Sequence, residues 1–299
     1  MGKWKLRDYI ETIGLGFRFT RKYFVSIFLA VIGVFTITIG LFLLIIFIGS
    51  IPLSTVYGPF DEIFDVFDSI GDALSGVNNV QAVGIVLFAG SALFAPFLIA
   101  LGALFGLGQE IIESGNADAE EALHWYRQKF SRLAAGGIAQ FLFIIGPIGM
   151  EYIIAAWYYG NQEVDSSSFM ILLIIAIGWF LFSSGVFSMV FPSIVDGMSV
   201  LASIKHSVNL ARNNFSAVFS IWITFASLGL LLLGPFIAQD LADFPVIMGQ
   251  WYELYIIAVG LLIGLILLPV YVISASRAYL IISDPNIQQE QDIQTEGSQ

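Results

Sequence analysis

The stretch RKYFVSIFLAVIGVFTITIGLFLLIIFIG, Arg21 to Gly49, decides the fold. Two basic residues and a tyrosine lead directly into a run, from Phe24 to Gly49, that carries no charge. An α-helix rises about 1.5 Å per residue and the hydrocarbon core of a bilayer is about 30 Å thick, so roughly 20 such residues cross it. Working outward, five more apolar runs of sufficient length follow, at 81–107, 133–157, 168–195, 216–238 and 254–282. The first run begins too late and extends too far for a cleaved signal peptide, so it is expected to stay as a span. Composition agrees. With 58% hydrophobic residues, 12% charged residues and a mean hydropathy of +0.86, the 299 residues would expose more apolar surface than a water-soluble domain tolerates. The expected fold class is an all-α integral membrane protein with six transmembrane helices.

The charges give this bundle an orientation. Lys3, Lys5, Arg7, Arg18, Arg21 and Lys22 precede the first run, and Arg127, Lys129 and Arg132 lie between the second and third. Lys205 and Arg212 lie between the fourth and fifth, and Arg277 sits near the end of the sixth, which accounts for all twelve. The opposite loops, near 50–80, 158–167 and 239–253, hold acids such as Asp61, Asp72, Glu163 and Asp240 but no Lys or Arg. Lys and Arg near span ends are retained on the cytoplasmic side, so both termini are expected to be cytoplasmic in a multi-pass protein of the cell membrane. The net charge of −11 matters less than this placement.

Arg21–Phe24 is one of three R-x-x-F junctions, with RQKF at Arg127–Phe130 and RNNF at Arg212–Phe215. Each follows a polar segment of helical periodicity, marked by Leu6, Tyr9, Ile10, Ile13 and Phe17 in the first, Ala122, Leu123 and Tyr126 in the second, and Val200, Ile204 and Val208 in the third. Each segment is expected to lie in the headgroup plane with its apolar face toward the acyl chains. Arg21, Lys22, Arg127, Lys129, Arg132 and Arg212 would then anchor lipid headgroups. Any cytoplasmic crossing selects a basic residue and an aromatic, so the junctions alone do not establish a repeat. The ends of the even runs add to them: QEIIESG at 109–115, PSIVDG at 192–197 and YLIISDP at 279–285 all pair Ile or Val with an acid and a Gly or Pro. The chain therefore reads as three units of interfacial amphipathic helix plus helical hairpin, about 1–107, 108–195 and 196–283, within one domain spanning 1–283. The tail, 284–299, rich in Gln and acids, is expected to be disordered and cytoplasmic.

The stretch FPSIVDGMSVLASIKHSVNLARNNF, Phe191–Phe215, resembles prokaryotic and archaeal polytopic families of unknown function, and is similar to the membrane domain sometimes fused to glycerophosphodiester phosphodiesterases. In those families an apolar helix ends in Pro, a hydrophobic pair and Asp-Gly, and an Ala-rich amphipathic helix leads to an Asn-aromatic junction. The resemblance implies the membrane fold and is compatible with an archaeal origin. It brings no catalytic residue, because the hydrolase half, with its His-Arg pair and Glu-x-Asp metal cluster, is missing.

The search for chemistry is mostly negative. Phosphate-binding loop, H-E-x-x-H and nucleophile-elbow patterns are absent, and the chain has no cysteine and two histidines. His124 and His206 stand at different offsets from their junctions and read as headgroup-region or helix-surface residues, not as a ligand set. Ser183, Ser184 and Gly185 read as small packing residues, because no His or Lys in a span is placed to activate a hydroxyl. Gly102-x-x-x-Gly106 and Gly260-x-x-x-Gly264 suit close helix packing, inside the bundle or between subunits. Glu151 is the one acid well inside a run, and Gln140, eleven residues earlier, is expected to share its helix face. Snorkelling to the outer headgroups, or protonation against neighbouring helices, is the favoured reading of Glu151 over a functional role. PFDEIFDVFDSIGDAL, 59–74, alternates apolar and acidic faces as an amphipathic cap without the loop of a calcium site.

No catalytic residue, metal or cofactor is therefore expected. The inventory fits a noncatalytic integral subunit or scaffold that binds membrane lipids, membrane proteins or copies of itself, and no nucleic acid. A channel or facilitator for a neutral or apolar solute, which needs no charged pathway, is the alternative, and a continuous polar cavity through Gln140 and Glu151 would favour it. A lipid enzyme would require Glu110, Glu113, His124 or Asp196 to converge near the inner interface.

Overall fold

The computed structural model describes residues 4, 6–57, 80–116, 118–159, 166–242 and 251–283. The acidic cap at 59–74 and the tail at 284–299 lie outside the described residues. All regular structure among those residues is helical: α1 (Leu6–Lys22), α2 (Phe24–Tyr57), α3 (Val80–Ser114), α4 (Ala119–Gln128), α5 (Phe130–Tyr159), α6 (Ser166–Val186), α7 (Val190–Val195), α8 (Val200–Asn213), α9 (Phe215–Ala242), α10 (Trp251–Leu262), a π-helical turn (Ile263–Leu267) and α11 (Leu268–Ser283). Six segments among them are long and apolar enough to cross a membrane: Phe24–Ile48, Phe94–Ser114, Phe130–Ala155, Met170–Val195, Phe215–Pro235 and Leu254–Ser283. The expected six spans are present.

Each R-x-x-F junction is a one-residue break between a short helix and a span. Tyr23, Lys129 and Asn214 are the break residues, and Phe24, Phe130 and Phe215 open the helices that follow. The break residues donate their N–H groups to Phe19, Trp125 and Leu210, at 2.9, 3.1 and 2.8 Å, closing the short helices. The carbonyls of Tyr23 and Asn214 already accept from Ile27 and Val218 in the next helix. Arg21, Arg127 and Arg212 thus stand in the last turns of α1, α4 and α8, where a cation complements the helix dipole. At its other end α4 is capped by Asp118, whose carboxylate accepts from Glu120 N–H at 3.1 Å.

The short helices bury their faces in a common register. Counting back from the break, the shared buried positions are three and seven residues away, Thr20 and Gly16, Tyr126 and Ala122, Ala211 and Ser207, and α8 buries Leu210 besides. In α1 and α8 the next turn adds Thr12 and Ser203. These faces are made mainly of small or hydroxyl side chains, not of the large apolar ones that periodicity picks out. The large side chains split between two fates. Leu6, Ile10, Phe17 and Leu201 are exposed, as expected of a face toward acyl chains. Tyr9 instead turns inward to hydrogen-bond Thr224 at 2.6 Å, and Tyr126 is buried in the protein.

The chain forms two compact units. The first combines Met1–Val34, Leu101–Lys129 and Gly185–Gln299. In it α1 lies along α11, and a Cβ at Gly16 would meet Ser274 Oγ at 2.3 Å and the Val270 carbonyl at 3.0 Å. Glu11 and Arg277 close that seam at 2.8 Å. Phe105 stacks on Phe191 with centroids 6.2 Å apart and meets Tyr271 edge-on, and the fully buried Ile111, Ile194 and Tyr279 extend the core. Gly106 of the Gly102–Gly106 pair packs against Trp125 of α4, where a Cβ would stand 2.4 Å from the indole. Gly108 approaches α11 closely as well, 2.9 Å from Val272 Cγ1 by the same measure. Gly260 and Gly264 meet nothing within 4 Å, so among the described residues of this unit they serve no close approach.

The fourth apolar run differs from expectation. Read as continuous over 168–195, it is helical to Val186, turns through 187–189 and resumes as α7. Pro192 suits the break, since in the first turn of a new helix it is tolerated without loss, although Pro96, Pro147 and Pro235 are carried inside continuous helices. Ser207 of α8 donates to the terminal Val186 carbonyl at 2.6 Å. A similar accommodation precedes Pro269, where the register widens to π and Leu268 N–H bonds back to Ile263.

The second unit combines Phe35–Ala100 and Phe130–Ser184. Here Thr38 donates to the Pro96 carbonyl at 3.4 Å, Phe94 stacks on Phe141, and Gly137 lets α5 approach Leu98, 2.6 Å from a Cβ built there. Trp179 Nε1 of α6 donates to the Ile144 carbonyl of α5 at 3.0 Å. Its surface is apolar, with Leu43, Phe47, Ile154 and Ile174 each more than half exposed, which hydrocarbon tolerates and water does not.

Candidate functional site

Two places in the structure gather unusual chemistry, one in each unit. In the first unit the ends of α3, α7 and α11 bring polar groups together. Tyr279 donates its hydroxyl to Asp196 Oδ2 at 2.9 Å, and His206 meets the Tyr279 ring edge-on with centroids 6.0 Å apart. Gln109 Nε2 donates to the Pro192 carbonyl at 3.1 Å and Lys129 Nζ approaches the Val195 carbonyl at 3.5 Å, so both cap the end of α7. Glu113 feels the charges of Glu110 and Asp196. Gly197, at φ +101°, lets the chain leave α7 through a double closure, Gly197 N–H to Ile194 and Met198 N–H to Ser193, the Schellman pattern. Gly115, at φ +67°, ends α3 in the same left-handed conformation.

This cluster ties helix ends together. The Tyr279 hydroxyl is committed to Asp196, and among the described residues no three His, Asp or Glu side chains converge to hold a metal. His124 is exposed on α4 beside Trp125, away from any shared site with His206. Ser183 and Ser184 donate to the carbonyls of Trp179 and Phe180 in their own helix, and Gly185 provides the close approach to Phe219.

The basic side chains divide. Arg21, Lys22, Arg127, Arg132 and Arg212 are exposed, with Lys22 Nζ 4.6 Å from the Tyr23 ring centroid. Lys129 is the departure. It is half-buried, reaches a carbonyl, and lies 5.6 Å from the Trp125 ring, so its charge is directed into the protein and away from a headgroup. The reason is the orphan carbonyl at the end of α7, which a cation satisfies.

In the second unit an open groove of about 1070 Å³ runs between α5 and α6. Leu142, Phe143 and Pro147 form its wall on α5, with Leu172, Ile175 and Trp179 opposite on α6. Gly146 deepens it, because a Cβ there would meet nothing within 4 Å. Glu151 lies in the groove, with Trp157 and Tyr158 at its aromatic end. Glu151 Oε1 is buried and has no hydrogen-bond partner among the described residues. Gln140 does not line the groove and is buried. Both residues lie on the one helix α5, and of the two only Glu151 lines the groove. Pro147 stands between them and cannot donate to the carbonyl one turn back, yet α5 continues across it. Sequence reasoning singled out Glu151 but missed its surroundings, although Gly146-Pro147 in mid-span was a visible signal.

Six apolar helices, exposed apolar faces and a groove open along a span define a multi-pass membrane protein. Comparison of the chain with protein families, curated proteins and solved structures finds no match.

Proposed function

We propose that this protein is a noncatalytic integral scaffold of the cell membrane that holds membrane lipid in the groove between α5 and α6. The carrying observation is the groove itself: an apolar trough of ligand size, with an aromatic end and a single acid. From Leu142 to Glu151 its α5 wall extends about 14 Å, and from Glu151 to Tyr158 about 10 Å more, at 1.5 Å per residue. Apolar wall below, carboxylate above it and aromatic rings beyond match the order of acyl chain, headgroup and interface in a lipid. A polar conduit gains no comparable support, since Gln140 and Glu151 do not share the groove.

The three junctions fit the same reading. Their matching one-residue breaks and matching buried registers support three units of interfacial helix plus hairpin, entered from one side. The confinement of all twelve Lys and Arg to the junction side supports cytoplasmic termini. The test is lipid retention: the purified chain should carry bound lipid, and Gly146→Trp, which fills the groove, should remove most of it. Wild-type protein without bound lipid, or retention unaffected by the substitution, would refute the proposal.

A further inference from the structure

Resting on the reading that the groove holds lipid, we infer that its occupant carries a primary ammonium headgroup, which meets Glu151. Glu151 stands 21 residues after Phe130, about 31 Å along α5, so the acid lies one bilayer core away from the R-x-x-F junction. That is the depth of the headgroups in the opposite leaflet, and Trp157 and Tyr158 follow at the level where amphipathic rings collect. The acyl chain of a lipid in that leaflet would lie along Leu142, Phe143 and Pro147, leaving its headgroup at the carboxylate.

The charge then selects the headgroup. An ionised carboxylate only accepts hydrogen bonds, and Glu151 lines the groove with one oxygen that no donor among the described residues reaches. A primary ammonium supplies both positive charge and N–H donors. A quaternary ammonium supplies charge alone, and an anionic headgroup is repelled. A second copy of this chain in the same orientation cannot supply the cation, because its Lys and Arg all lie on the junction side. A groove closed by a bulky side chain separates loss of the lipid from loss of headgroup choice. Gly146 provides it, with open space around its Cβ.

The experiment is native mass spectrometry of the full chain equilibrated with equal amounts of phosphatidylethanolamine, phosphatidylcholine and phosphatidylglycerol of identical acyl chains. Wild type, Glu151→Gln and Gly146→Trp are compared, with Gly146→Leu replacing the Trp variant should that fail to fold. Wild type is expected to prefer phosphatidylethanolamine by about 10- to 100-fold, the range of one charge-assisted hydrogen bond. Glu151→Gln should keep lipid and lose the preference, and the filled groove should lose all three lipids. No headgroup preference in wild type, or a preference unchanged in Glu151→Gln, overturns the ammonium inference while sparing the groove. Retention unchanged by the filled groove overturns both, as does a copurifying membrane protein whose basic helix occupies the groove in place of lipid.

Discussion

Gly14 and Gly16 lie two residues apart on α1, and replacing each with alanine should have opposite effects. At Gly16 the added methyl would stand 2.3 Å from Ser274 Oγ, 3.0 Å from the Val270 carbonyl and 3.2 Å from Val270 Cγ1. The serine hydroxyl can rotate away, but the backbone oxygen cannot. Overpacking of this kind costs about 1–3 kcal/mol, from which the higher helix propensity of alanine returns up to about 1 kcal/mol. With the full return, the net loosening of α1 from α11 is up to about 2 kcal/mol. At Gly14 a Cβ meets nothing within 4 Å, so only the propensity gain of about 0.5–1 kcal/mol remains. Because the chain has no cysteine, Thr12→Cys places a single thiol on the buried face of α1. Its maleimide labelling in detergent reports opening of the seam. Gly16→Ala should speed labelling by up to about 30-fold, and Gly14→Ala should slow it by about 2- to 5-fold. Adding Ser274→Ala to Gly16→Ala should restore part of the protection, since the carbonyl contact remains. Equal labelling of the two alanine variants would refute the seam.

Gly197→Ala should destabilise the exit from α7 by about 1–2 kcal/mol, because its left-handed φ penalises a side chain, and thermal unfolding in detergent measures the loss. Tyr279→Phe deprives Asp196 of its donor and should cost about 1.5–3 kcal/mol by the same assay, as a hydrogen bond to a charged group does. An unchanged melting temperature would mean that water replaces the hydroxyl without loss. Trp179→Phe removes the donor that joins α6 to α5 at Ile144 and should cost about 0.5–1.5 kcal/mol in unfolding while leaving α6 helical by circular dichroism.

Much of this architecture was legible in the sequence because crossing a bilayer requires a long uncharged run, a demand that composition cannot disguise. The junctions were legible for a similar reason: Arg before Phe marks both the end of a dipole and the start of an apolar segment. What escaped was smaller. Thr12, Gly16 and Thr20 form the face by which α1 docks, but hydrophobic periodicity weighs large residues and passes over small ones. Pro192 was read as the end of a span when it opens the first turn of a new helix. Lys129 has the sequence context of a headgroup anchor, and only the position of the Val195 carbonyl reveals its inward course. At the groove, Glu151 stood out by its charge, whereas Trp179 and Leu172 belong to it through tertiary packing that no local pattern encodes.

The proposed placement of every cation on one side underlies both the proposed orientation and the proposed assignment of Glu151 to the opposite leaflet. Single cysteines at Lys22, Gln128, Asn213 and Asn161, introduced one at a time, test it directly with a membrane-impermeant maleimide on intact cells. The account predicts labelling of the cysteine at 161 in intact cells and of the other three only after permeabilisation. Labelling of any junction cysteine from outside, or protection at 161, would contradict it.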